Sequence, residues 1–94
     1  MRTIKQTSQF KRDLQREAKG QHQATLEDDL LPVIEALAKD RPPDVLHRDH
    51  ALTGNWVDHR DCHIKKTDLV LLYRKPNDET LQLVRLGSHS ELGL

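Results

Sequence analysis

Two periodicities divide the chain. From Thr7 to Leu37 the apolar residues recur at helical spacing. Phe10, Leu14 and Ala18 follow one another every four residues and form one narrow stripe. Thr7 or Ser8 is placed to cap the helix they define, and Gly20 suits its end. A second helix is expected to start between Gln21 and Thr25. Its Leu26, Leu30, Val33, Ile34 and Leu37 share a face. Pro32 falls inside that pattern, where it removes a backbone donor and either kinks the helix or marks its first turn. Arg41-Pro42-Pro43 is extended and stops the helix. Ahead of both helices, residues 3–6 carry a weak strand signal.

Beyond Pro43 the period shortens to that of strands. Thr53-Gly54-Asn55 reads as a turn or bulge ahead of a short strand. Residues 59–65, 68–74 and 80–86 read as strands, with Lys66-Thr67 as a tight connection and Pro76-Asn77-Asp78 as a turn. Gly87 ends the last strand and a polar tail follows. Helices followed by a run of strands predict an α+β fold, with two N-terminal helices packed on one face of a small twisted antiparallel sheet. The 94 residues suit a single domain over 1–94. Such a sheet leaves its other face to solvent, and that face is where chemistry is expected.

Composition narrows the picture. Hydrophobic residues make up 35% of the chain, aromatic ones 3% and charged ones 32%, so a modest core sits beneath a well-solvated surface. The lone Cys62 allows no internal disulfide, and no apolar run has the ~18 residues of a membrane span. A cytoplasmic protein with no membrane association is expected. The formal net charge is zero, which argues against binding a polyanion by bulk charge. The distribution is uneven. Residues 1–20 hold Arg2, Lys5, Lys11, Arg12, Arg16 and Lys19 against Asp13 and Glu17, whereas residues 21–40 hold Lys39 against five carboxylates. This could mean a nucleic-acid face beside a protein face, but charge alone favours two solvated amphipathic helices of uneven charge.

Six histidines stand out: His22, His47, His50, His59, His63 and His89. Strand parity sorts the later ones. His59, Asp61 and His63 share one sheet face, and Arg60, Cys62 and Ile64 the other. In the last strand Leu81, Leu83 and Arg85 are expected on one face, with His89 continuing that parity if the chain stays extended. Asp61, His63, Arg85 and His89 then converge if the strands are neighbours, and His50 approaches from the preceding loop. Imidazoles, carboxylates and a guanidinium suit RNA cleavage by the substrate's own 2′-hydroxyl. One group removes the 2′ proton, another protonates the departing 5′-oxygen, and a cation steadies the phosphorane. Histidine suits both proton transfers, since its pKa lies near ~6.5. No metal and no cofactor is required.

Other readings stay open for these residues. His47-x-x-His50 and Asp61-x-His63 are conceivable metal ligands, though a zinc site usually shows tighter Cys/His clusters. Cys62 beside His63 suggests a thiol nucleophile, but adjacent strand residues point apart, which favours a buried core thiol. Trp56 can stack on a base or fill the core. Arg60 can meet a phosphate or a carboxylate.

His50-Ala51-Leu52-Thr53-Gly54-Asn55-Trp56, then Arg60-Asp61-Cys62-His63 and Asp68-Leu69-Val70-Leu71-Leu72-Tyr73 form the pattern H-x-L-x-G-x-W, R-D-x-H, D-x-x-L-x-Y. With Arg85-Leu86-Gly87-Ser88-His89-Ser90-Glu91-Leu92 at the end, the chain resembles the YafQ branch of the RelE/ParE toxin superfamily over essentially its whole length. The resemblance implies a RelE-like microbial RNase fold and the toxin of a type II toxin–antitoxin pair. It implies an endoribonuclease that cuts mRNA in the ribosomal A site without a metal. The implied partners are the ribosome, its mRNA and a cognate antitoxin whose complex with the toxin binds operator DNA. The catalytic set it implies is His50, His63, Asp68 and His89, with Arg85 stabilising phosphate and Asp61 second to these. Lys11, Arg12, Arg16 and Lys19 are expected to contact ribosomal RNA, and Lys65 and Lys66 to add phosphate contacts. The resemblance departs at Gly93-Leu94, where the family often has Phe, and at the turn Ile64–Thr67, one residue longer than the family pattern. Two rivals remain: a ParE-like toxin that poisons DNA gyrase by binding, and an inactive fold-mate serving only in a repressor complex.

Overall fold

The computed structural model describes residues 1–20, 26–41, 50–64 and 69–93. Strand β1 (Thr3–Gln6) leads into helix α1 (Ser8–Ala18) and then α2 (Leu26–Ala38). Among the described residues four strands follow: β2 (His50–Ala51), β3 (Arg60–His63), β4 (Leu69–Asn77) and β5 (Thr80–Ser88), with a short helix α3 (His89–Leu92) after them. The sheet order is β1-β5-β4-β3-β2. The expected α+β architecture is present. The sheet is mixed rather than wholly antiparallel, because β1 runs parallel to β5, Thr3 opposite Thr80. No local turn links these two strands; they meet only after both helices and three strands intervene.

Local chemistry explains most element ends. The Thr7 hydroxyl accepts from the Phe10 amide at 3.0 Å, so Thr7 caps α1 as expected. The helix ends at Ala18, short of Gly20. In α2 the expected apolar face is buried throughout: Leu26, Leu30, Val33, Ile34 and Leu37. Pro32 sits in the interior of α2 on its exposed side. Asp40 ends the segment with φ +56°, a left-handed conformation that aspartate tolerates, and the Arg41 amide returns to the Ala36 carbonyl at 2.8 Å. The expected start of α2 at 21–25 and the Lys66-Thr67 turn lie outside the described residues.

The strand half departs from expectation in three places. The short strand lies before Thr53, at His50–Ala51, and Gly54–Trp56 is a single 3-10 turn. Strand β4 runs on through Pro76 to Asn77, which pairs with Thr80, so the turn is Asp78-Glu79. The tail is helical. Ser88 caps α3 by accepting from the Glu91 amide while Glu91 accepts from the Ser88 amide, and Gly93 closes it at φ +72°. Ser88-x-x-Glu91 was a legible capping box.

A β-bulge in β5 changes the parity of that strand. Leu72 pairs with Arg85 but Tyr73 pairs with Leu83, leaving Val84 as the extra residue. Leu81 and Leu83 therefore face the helices together with Leu86, and Arg85 faces the other way; the expected common face of Leu81, Leu83 and Arg85 does not exist. The core lies between this sheet face (Cys62, Ile64, Leu69, Leu71, Tyr73, Leu81, Leu83, Leu86) and Phe10 plus the apolar side of α2.

Beyond Leu83 strand β1 no longer covers β5, and α1 takes over that edge with side chains. The Thr7 hydroxyl donates to the Val84 carbonyl at 2.7 Å, the Leu86 amide donates to Asp13 Oδ2 at 3.0 Å, and Arg16 Nη2 donates to the Leu86 carbonyl at 3.3 Å. The edge groups that would otherwise solicit another strand are thus satisfied within the chain.

Candidate active site

The sheet face turned away from α1 and α2 carries the residues of interest in cross-strand rows. One row is His50, Asp61, Leu72, Arg85; the next is His63, Val70, Gly87. This face is not wholly open. Val70 and Leu72 are fully buried although they point away from the main core. Helix α3 roofs one end of it: a Cβ built on Gly87 would lie 3.5 Å from Leu92 and 3.3 Å from Arg16 Nη2. Glycine there lets the terminal helix and Arg16 close over β5.

The chain turn into α3 breaks the extended parity expected for His89 yet delivers it to the same place. The His63 and His89 rings lie 4.7 Å apart between centroids, tilted by 50°. His89 Nε2 is 3.7 Å from Asp61 Oδ2. That is ion-pair range for a protonated imidazole and longer than a hydrogen bond. Asp61 is 1% exposed, whereas the His89 side chain is 42% exposed. A solvent-facing imidazole therefore stands over a buried carboxylate with a second imidazole against it. The rings are too close to admit a phosphate between them, so a reacting group must lie across their exposed edges. This arrangement can move two protons and hold one imidazolium beside a fixed negative charge.

Arg85 shares Asp61's row, and its guanidinium reaches to α1 at the free edge of β5. Its Nε donates to Asp13 Oδ2 at 2.7 Å and its Nη2 to Asp13 Oδ1 at 3.3 Å. The Asp13 hydrogen bonds hold the guanidinium pKa above its ordinary value, against a smaller opposing effect of burial. Asp13, 4% exposed, is a residue that sequence reasoning missed; it sits in no apolar stripe and its partner is 72 positions away. Arg85 opens into a polar cavity of about 290 Å³ that Gln9, Arg12, Asp13 and Arg16 also line. Arg16 further pairs with Glu91 of α3 at 3.1 Å. The expected basic helix is real: Lys11, Arg12, Arg16 and Lys19 are all exposed. Two of its arginines share one cavity with Arg85.

Other sequence expectations resolve as follows. Cys62 is fully buried in the core, pointing away from His63. Trp56 is half-buried and stands apart from the core. Asp68, Lys65, Lys66, His22 and His47 lie outside the described residues, as does the side chain of His50, whose backbone pairs with Asp61.

A family model for the bacterial toxin of the type II toxin–antitoxin system, YafQ, matches residues 2–93. The chain belongs to the YafQ toxin family. A YafQ toxin of Haemophilus influenzae is 34% identical over 94 residues, covering 97% of this chain and 91% of that one. The mRNA interferase toxin YafQ of Escherichia coli K12 is 37% identical over 51 residues, 54% of this chain and 53% of that one. Among solved structures, a metal-bound toxin from Helicobacter pylori superposes with a TM-score of 0.85 at 41% identity, covering 98% of this chain and 99% of that one. YafQ in the E. coli DinJ–YafQ complex superposes with a TM-score of 0.82 at 27% identity, covering 98% of each chain. The YafQ fold and the type II toxin class thus hold for this protein.

The metal-bound relative invites a test of the donor set. Among the described residues no three His, Cys, Asp or Glu side chains come together as a metal site needs. Among the described residues no helix is long and apolar enough to cross a membrane.

Proposed function

We propose that this toxin is a ribosome-dependent endoribonuclease that cuts mRNA in the A site, using His63 and His89 for proton transfer. The observation that carries the reading is the ring contact of His63 with His89 above buried Asp61. His63, in the row beside His50, takes the 2′-hydroxyl proton. The 2′-oxygen attacks the adjacent phosphorus and the bond to the 5′-oxygen breaks. His89, protonated, supplies the proton to that leaving oxygen, its Nε2 standing 3.7 Å from the Asp61 carboxylate. The products are a 2′,3′-cyclic phosphate and a 5′-hydroxyl. Arg85, held by Asp13, contributes fixed positive charge to the phosphate in flight. Asp68 is assigned a part in orienting an imidazole, with Lys65 and Lys66 on neighbouring phosphates.

The printed name of the E. coli relative supports the RNA substrate. Its complex with DinJ supports a cognate antitoxin for this chain. Lys11, Arg12, Arg16 and Lys19 present the charge that ribosomal RNA would meet, and phosphate neutralisation dominates such affinity. A binding-only poison of gyrase has no use for paired imidazoles over a buried carboxylate.

The test is cleavage mapped by primer extension in a translating extract. Wild type is expected to cut at A-site codons, and His89→Ala to bind ribosomes without cutting. Absence of cleavage by folded wild type, with translation unaffected, would overturn the reading.

A further inference from the structure

The same sheet face carries a second cluster, at the other end of β3 from His63. Trp56, the chain's one tryptophan, meets the His59 ring edge-on, with centroids 5.2 Å apart and planes at 78°. The 3-10 turn that bears it is tied down on both sides: the His59 amide donates to the Trp56 carbonyl at 2.8 Å, and the Leu52 amide to the His59 carbonyl at 3.0 Å. Arg60 pairs with Tyr73, so the next step of that register sets His59 against Arg74. Both residues take the Asp61 side of the sheet by parity. His59 Nδ1 and Arg74 Nε are buried nitrogens without a hydrogen-bond partner among the described residues. Leaving such groups unmet is costly, and in a native protein each calls for an explanation, a functional role or a bound group among them.

The chemistry of that ligand follows from the groups. Burial first, and the Arg74 charge second, lower the His59 pKa below 6.5, with Asp58 opposing them in part. Near neutral pH the cluster therefore offers a neutral imidazole, one cation and an indole face. Such a set stacks on a flat heterocycle and donates to its acceptor edge or to its phosphate. His59 directly precedes β3 and lies four residues from His63, roughly 13 Å at the usual strand rise.

We propose that Trp56, His59 and Arg74 form a subsite for an unpaired nucleobase of the RNA, next to the cleaved linkage. The base stacks on Trp56, and Arg74 and His59 supply hydrogen bonds to it. The inference rests on the RNA-cleaving reading above and extends it to the choice of sequence.

Two measurements test it. In a translating extract, Trp56→Ala and Arg74→Gln are expected to lower cleavage about five- to a hundredfold, the range for losing one stacked base. They should also change the base preference beside the cut, while Trp56→Phe retains most of both. Separately, in the non-cleaving His89→Ala protein, a short single-stranded oligoribonucleotide should quench the fluorescence of Trp56 saturably, and Arg74→Gln should weaken that quenching. If Trp56→Ala does not fold, Trp56→Phe and Arg74→Gln carry the decision. Normal cleavage with unchanged base preference in the folded variants would overturn the subsite and leave the ribonuclease reading standing. Loss of antitoxin binding alone, with cleavage intact, would overturn it in favour of a protein contact. Quenching by the oligonucleotide in a protein whose wild type cuts nothing would keep the subsite and overturn the ribonuclease reading.

Discussion

The two faces of the sheet are built from neighbouring residues with opposite fates. In β3, Cys62 enters the core while Asp61 and His63 face away. In β4, Leu71 meets the helices while Val70 and Leu72 lie under the site face. The helix side is apolar and indifferent to chemistry. The other side buries a carboxylate, sets two imidazoles over it, and is roofed by a single turn of helix. Helix α3 covers one end of this face, its Leu92 packed against Gly87, as α1 and α2 cover the other face. It also shows why β5 needs its bulge, since only the shift at Val84 lets Leu83 and Leu86 enter the core while Arg85 stays on the site face.

If the division is right, changes on either face should separate activity from stability. The largest effect is expected for His89→Ala. Cleavage should fall by about 10²–10⁴-fold, the usual contribution of a proton-transfer group, with little change in melting temperature because His89 is exposed. Next is Leu71→Ala on the core face, where truncation of a fully buried leucine should cost about 2–5 kcal/mol in denaturant unfolding. Activity per folded molecule should remain. Asp13→Ala tests the joint between the faces. It removes the acceptor for Arg85 and for the Leu86 amide, and should cost about 1–3 kcal/mol and lower cleavage together.

The smallest effect concerns pH. The His59 pKa is lowered in the folded protein, so the unfolded chain binds a proton more readily. The neutral form's contribution is complete above about pH 6.5 and is lost as pH falls through the folded value. Thermal melts should show that decline in wild type and a flatter profile in His59→Gln.

Much of this was legible in the chain. The spacing of Leu26, Leu30, Val33, Ile34 and Leu37 specified the buried face of α2, and alternation in Arg60-Asp61-Cys62-His63 assigned each side chain its face. Ser88-x-x-Glu91 announced α3, although the polar composition of that stretch read as a tail. The rest depends on distant partners. The bulge at Val84 falls where the alternation of Leu81-Gln82-Leu83 slips by one residue at Val84-Arg85-Leu86, a break that reading the strand at constant parity passed over, and pairing of β1 with β5 is decided by the edge left free after the hairpins form. The Asp13–Arg85 pair joins a helix to a strand with no local signal. The meeting of His63 with His89 was foreseen, but by an extended route that the chain does not take.

On the proposed reading this face cuts RNA through the substrate's own 2′-hydroxyl, with imidazoles moving the protons. The end groups of the cleaved mRNA, produced in an extract with purified toxin and characterised chemically, test it most directly. A 2′,3′-cyclic phosphate and a 5′-hydroxyl, absent with His89→Ala, are the predicted result. A 3′-hydroxyl and a 5′-phosphate would contradict it, since those ends require water as the nucleophile.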